Sequence, residues 1–468
     1  MENITLKNSL KDYLFGDRAF YKRVLLIMIP IIVQTTITNV VNLMDNIMVG
    51  RIGTLEMSAV AIVNQLILVF NLCIFGGISG AGIFGTQYAG AKDDEGMRNC
   101  FRMKLYIIAI VLVAAICIFG IFPEELINLY IHEGTQTSQA IATLGFATDY
   151  LRIMIVGLIP FALSQVYASS LREMGETKLP MIASVFSIIS NTVLNFLLIF
   201  GMCGFPKLGV SGAAIATVIS RIGELVILMV LAHMRHDEFR FLKGVYKSLH
   251  IPAKLCRDIL KKGSPVLVNE LLWSLGVATY LQCYSVRGLD VVASANIAST
   301  ITNLFNVLFV ATGSAVAIMV GQCLGANEIE NAKKTVWRLI TVSFIGCTVI
   351  GGILASLSGL LPEIYNTEPE VKKLAASFLR VTAFLMPIAS FTHNCYFAIR
   401  SGGKTIITFI FDSGFMWLIG VPVAFVLANF TGMNIVLLYF CVNGLEILKA
   451  VIAFVLVKRG IWISNIVR

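Results

Sequence analysis

Asp45 lies near the end of a long apolar run, within LMDNIMVGRIG at 43–53 and fifteen residues after Pro30. A carboxylate in a lipid-buried helix costs about 3 kcal/mol on insertion scales, so such residues are rare and functional by default. Gln34, Thr38, Asn42 and Asp45 follow spacings of four, four and three, which puts them on one helix face. Ser187, Asn191 and Asn195 form a second polar stripe. Polar groups in hydrocarbon need partners, so the two stripes are expected to pack together, either as glue between helices or as an ion path. Low dielectric favours the neutral form of a carboxyl group. A proton or Na⁺ on Asp45 removes its charge; ionised, Asp45 attracts an organic cation. The two charge states favour different helix arrangements. Pro30 removes a backbone hydrogen bond and supplies a hinge or a fixed kink in the same helix.

The other acids inside apolar runs divide by their neighbours. Glu224 lies three residues after Arg221, and Glu446 three before Lys449, so each pair is expected to neutralise itself on its own helix. Asp412 sits nearer a span end, where it can snorkel or pair. Glu270, in SPVLVNELLWSLG at 264–276, has no basic residue near it on its own helix. It is the second candidate for proton, cation or substrate binding. His393 is the one histidine inside a span and titrates near neutrality when unperturbed; it is a third candidate, against a packing role. With the Gln34, Thr38, Asn42 and Asp45 face, Glu270 and His393 make up the expected substrate-binding groups.

The elements that hold these residues are membrane spans. The chain has 468 residues, 57% of them hydrophobic and only 13% charged, against about 25% charged in soluble domains. Twelve apolar runs between 24 and 457 are long enough to cross a bilayer. The N-terminus to Arg23 is polar and the first run is full length, so no cleavable signal is expected. The fold class expected is an all-α membrane protein of twelve transmembrane helices. Of 36 Lys and Arg residues, 27 fall on the side that carries both termini and five on the other. This is the positive-inside pattern, with both termini cytoplasmic. The net charge of +9 is therefore a topology signal and not a nucleic-acid site. The ten cysteines have no metal or redox spacing. No Walker-type phosphate loop and no nucleophile constellation is present, so neither ATP-driven nor enzymatic chemistry is expected.

The least apolar stretch, 234–263, reads as a cytoplasmic linker with a short amphipathic helix on the membrane face. It divides the chain into an N-terminal lobe at 1–233 and a C-terminal lobe at 264–468, six spans each. A shift of 235 places 61–98 on 296–333, with Phe70 on Phe305, Asn71 on Asn306, and Gln87, Gly90 and Ala91 on Gln322, Gly325 and Ala326. Leu151, Arg152 and Pro160 find counterparts in Leu379, Arg380 and Pro387. Six is even, so the repeats are parallel, about an axis along the membrane normal. Transporters of this kind bind substrate near the midplane.

Five segments together resemble the multidrug and toxic compound extrusion (MATE) family over essentially the whole chain: LMDNIMVGRIG at 43–53, TQYAGAKD at 86–93, LREMGETKLPM at 171–181, NTVLNFLLIFG at 191–201 and LGVSGAAIAT at 208–217. The resemblance implies two pseudo-symmetric six-helix lobes in a V. It implies a monomer in the inner membrane that exports amphipathic, cationic drugs or metabolites against inward H⁺ or Na⁺ flow, without a cofactor. Carried over by motif, the cation-coupling site comprises Asp45, Asn191, Asn195 and Thr217, with Ala213 added if the ion is Na⁺; Glu270 resembles the C-lobe acid of one branch. Many relatives have an acid where Asn195 stands and some have one near His393, which favours H⁺ over Na⁺ here. The alternative is a lipid-linked oligosaccharide or lipid flippase of the same superfamily, which is expected to line its cavity with several arginines.

Overall fold

The computed structural model describes residues 12–131 and 137–467. Among them no strand occurs, and the chain forms long helices. In order these are α1 Arg18–Gly50, α2 Thr54–Ala91, α3 Asp94–Ile121, α4 Thr137–Glu173, α5 Lys178–Phe200, α6 Gly209–Met234 and α7 Ala253–Ser285. Then come α8, built from Leu289–Phe305 and Val307–Gly325, α9 Ile329–Leu357, α10 Pro369–Ser401, α11 Thr405–Phe430 and α12 Ile435–Lys458. Eleven of these helices are long and apolar enough to cross a membrane. The remaining one, α7, carries Asn269 and Glu270 in its middle and starts with a basic segment. Helices are the expected solution, because each backbone N–H and C=O must find its partner within the segment. A multi-pass all-α membrane protein is thus what the residues build.

Two compact units form. One comprises 33–85 and 94–260; the other comprises 1–32, 86–93 and 261–468. Helix α1 contributes to both, dividing between Ile32 and Val33, two residues beyond Pro30.

In the first unit the linker is docked rather than free. Arg102 on α3 donates to the carbonyls of Val245 at 3.0 Å, His250 at 3.3 Å and Gly244 at 3.3 Å. Arg98 donates to Phe241 O, and Phe241, Leu242 and Val245 are buried. The short amphipathic helix expected in this stretch does not form. A single 3-10 turn occurs at Arg240–Leu242, and the basic residues from Lys254 onward are the first turns of α7. Their charges alternate with apolar residues at helical spacing, so the helix simply starts earlier than hydropathy indicates.

Lys104, one of the 27 basic residues counted on the side of the termini, is fully buried. Its ammonium meets Glu173 Oε1 at 2.6 Å, Ser170 Oγ at 2.8 Å and Ser169 Oγ at 3.1 Å. Two glycines of α2 make room for the carboxylate: a Cβ at Gly85 would come within 2.1 Å of Glu173 Oε2. Removing one partner of a buried pair strands the other charge, at a cost of about 3–5 kcal/mol. Lys104→Met is therefore expected to lower the melting temperature in detergent sharply. The double variant Lys104→Met/Glu173→Met should recover most of the loss, and a double variant no more stable than the single one would count against a charge effect.

The second unit contains a reciprocal contact that the repeat explains. A Cβ on Gly90 would lie 1.9 Å from Gln322 O, and a Cβ on Gly325 1.8 Å from Gln87 O. Residue i meets residue j and the equivalent of j, under the shift of 235, meets the equivalent of i. The Gln87 side chain then fastens the C-terminal segment. Its amide donates to Ser401 O and Ser464 O, and its Oε1 accepts from Ile466 N. Trp462 is buried beside this clasp.

Candidate functional site

The two polar stripes meet in register. Asn195 Nδ2 donates to Asp45 Oδ1 at 2.9 Å, and Gln34 Nε2 donates to Ser184 Oγ at 2.7 Å. Both contacts join α1 to α5 at the same sequence offset of 150, as expected of two helices running the same way side by side. Around Asp45 the expected group assembles. Asn195 Nδ2 lies 3.1 Å from Asn191 Oδ1, and Asn191 Nδ2 lies 3.2 Å from Thr217 Oγ1. With the Asn191 amide turned over, its nitrogen reaches Asp45 Oδ2 at 3.1 Å. Thr217 Oγ1 donates to Ala213 O at 3.0 Å. Asn191, Asn195 and Ala213 are buried, while Asp45 and Thr217 are partly open. They are open because Asp45, Asn195, Ala213 and Thr217 line a cavity of about 430 Å³. This is within the size range of small-molecule sites. Among the described residues Asp45 has no cationic partner within 4 Å.

The rest of the α1 stripe serves elsewhere. Gln34 Oε1 accepts from Arg172, and Ser184 passes the connection on to Glu224 Oε1 at 2.6 Å. Thr38 spends its hydroxyl on Gln34 O of its own helix. The Asn42 side chain lies outside the described residues. Glu224 thus has a hydroxyl partner, and among the described residues Arg221 does not come within 4 Å of it, so the pair expected from spacing is not a direct contact. An i, i+3 spacing permits a pair but does not oblige it, and the helix rotates Arg221 toward the cavity instead. Tyr150, Asn64 and Asn71 also line that cavity and were not singled out from sequence. Asn71, which the repeat matches to Asn306, was the one with a visible signal.

The second unit holds Pro30, Glu270 and His393. Glu270 is not without a cation: Arg400 NH1 lies 3.6 Å from its Oε1. The partner comes from α10, across a helix interface that spacing along α7 does not reveal. His393 packs its ring on Phe309, 4.1 Å between centroids, and on Phe397 at 4.8 Å, above Gly313. Among the described residues its buried Nε2 has no hydrogen-bond partner. Asp412 pairs with Lys449 at 2.6 Å, and Glu446 is 3.6 Å from the same ammonium. Sequence reasoning passed over Asn269, the hub here. It donates to Asp412 Oδ2, and its Oδ1 accepts from Ser413 N and Ser413 Oγ. The Ser413 N–H falls within a π turn, Ile410–Gly414, and the Asn269 side chain accepts from it.

The comparisons agree with this architecture. A family model, MatE, matches residues 30–197 and 265–426, so the chain belongs to the MatE family. Its members are transporters, and this chain is a membrane transporter, not an enzyme. It is 28% identical over 417 residues to the probable multidrug resistance protein YoeA of Bacillus subtilis, covering 88% of this chain and 87% of that one. It is 24% identical over 418 residues to the probable multidrug resistance protein NorM of Thermotoga maritima, covering 87% and 86%. Among solved structures, an outward-facing multidrug resistance MATE family transporter superposes with a TM-score of 0.83 at 19% identity, over 96% of this chain and 97% of that one. A transporter of the same superfamily from Pyrococcus furiosus, described as having a reversed polarity of its binding pocket, gives 0.82 at 19%, over 96% and 97%.

Proposed function

We propose that this chain is a cation-coupled antiporter that exports amphipathic, cationic small molecules across the cytoplasmic membrane by alternating access. The observation that carries the reading is Asp45: a carboxylate on a bilayer-length helix, held by two amides, without a cation of its own, and open to a cavity of drug size. Loading Asp45 with a proton or Na⁺ removes the charge that would hold an organic cation, so the two ligands exclude each other and exchange becomes obligatory. The relatives' description as multidrug resistance proteins supports the substrate class.

The oxygens on offer are the Asp45 carboxylate, Asn195 Oδ1, Thr217 Oγ1 and Ala213 O, with a single carboxylate among them. One acid suits proton exchange, and H⁺ is the proposed ion. Pro30, close to the point where α1 passes from one compact unit to the other, is the proposed hinge. The lobes are assigned as 1–233 and 264–468, joined by the linker at 234–263, with both termini cytoplasmic and the chain acting as a monomer. A flippase for lipid-linked oligosaccharides needs several cationic groups for a pyrophosphate; the Asp45 cavity holds one arginine.

The test uses the purified chain in vesicles loaded with a cationic dye. An imposed inward proton gradient is expected to drive export. A Na⁺ pulse at fixed pH, with proton gradients collapsed by an ionophore, is expected not to. Export driven by Na⁺ alone would reassign the ion, and export driven by neither gradient would overturn the antiport reading.

A further inference from the structure

Arg221 of α6 lines the same cavity as Asp45, and it has no direct ion-pair partner there. Among the described residues no carboxylate lies within 4 Å of its guanidinium; Glu224, one turn on, is bonded to Ser184 Oγ instead. One of its five donors is engaged, NH1 with Gly157 O at the long distance of 3.4 Å. The face of the group rests on the Phe161 ring, Cζ to centroid 4.8 Å. The carbonyl and the ring orient the guanidinium without neutralising it.

A guanidinium keeps its charge at any physiological pH, and a charge inside a membrane-spanning unit calls for an anion. A planar fork with free donors matches a carboxylate in two-point fashion. We propose that Arg221 is the anion-recognising group of the Asp45 cavity, and that the preferred solutes are amphoteric: an organic cation that also bears a carboxylate. The cationic nitrogen is drawn by Asp45 and the carboxylate by Arg221. The cavity, about 430 Å³, accommodates a molecule carrying both. The proposal rests on the efflux reading above and narrows its substrate class. It also makes Arg221 a specificity residue rather than a coupling residue, because it carries the same charge whether or not Asp45 is loaded.

The experiment compares two probes that differ in one group, a fluorescent rhodamine with a free carboxylate and its methyl ester. Binding to the full purified chain is followed by fluorescence polarisation in detergent, and export of both dyes is followed in vesicles. The wild-type chain is expected to bind the acid about tenfold more tightly than the ester, the scale of one charge-assisted hydrogen-bond pair. Arg221→Gln should bind both dyes alike, at the affinity wild-type shows for the ester, while Arg221→Lys keeps part of the preference. The wild-type ratio needs no variant, so a misfolded Arg221→Gln does not blunt the test. Equal affinities in wild-type, with the ester still exported, would overturn this inference and leave the efflux reading standing. A preference that survives in a folded Arg221→Gln would also overturn it, and failure of wild-type to move either dye would overturn both.

Discussion

Asp45→Asn is expected to insert, fold and melt close to wild-type, yet to lose gradient-driven dye export by about tenfold or more. The substitution keeps the volume and most of the hydrogen bonding. Asn195 Nδ2 still finds an oxygen where Asp45 Oδ1 stood, and the cavity keeps its walls. What disappears is the exchangeable charge. An amide neither binds a proton near neutral pH nor attracts a cation across low dielectric. Two other acids of its compact unit are already engaged: Glu224 is hydrogen-bonded to Ser184 and Glu173 is paired with Lys104. Export by the variant at the wild-type rate would remove Asp45 from the mechanism, however well the remaining geometry fits.

Gly325→Ala should have a large effect on folding. The added carbon would sit 1.8 Å from Gln87 O, a backbone atom that moves only if α2 moves. The equivalent change, Gly90→Ala, meets Gln322 O at 1.9 Å. Overpacking in a close-packed interior costs about 1–3 kcal/mol, and more where backbone must shift. Either substitution is therefore expected to cost about 3 kcal/mol or more, and to leave little folded protein in the membrane fraction. Gly145→Ala is the control: it lies within α4 with nothing inside 4 Å of the new carbon, and alanine is the better helix former. Expression and melting temperature of the three variants, measured side by side, decide the matter. A Gly325→Ala chain that accumulates and melts like wild-type would contradict the close crossing of α2 and α8.

How far the sequence reaches can be argued from individual residues. Helix number and parallel repeats were legible because hydrophobic run length and a shift of 235 are properties of the chain itself. The Asp45 cluster was legible for a related reason. Two polar stripes on otherwise apolar helices have few places to go, and α1 and α5 bring them together at one constant offset. Partners on other helices were not legible. Arg400 answers Glu270, and Lys104, which the sequence placed only by its side of the membrane, lies fully buried against Glu173. Such pairs depend on helix rotation and crossing, which spacing along one helix does not fix. The same limit misassigned Arg221, whose neighbour in sequence is an acid and whose place in space is the cavity. Asn269 went unremarked because its role is to close a π turn on a different helix.

The account stands most directly on exchange itself, and that is measurable in one vesicle preparation. The purified chain is reconstituted with a pH-reporting dye in the lumen, and a cationic substrate is added while substrate movement and luminal pH are recorded together. Wild-type is predicted to move protons opposite to substrate at a fixed ratio, with both fluxes lost in Asp45→Asn. Substrate movement by wild-type with no opposing flux of either H⁺ or Na⁺, or with an opposing flux that persists unchanged in Asp45→Asn, would contradict it.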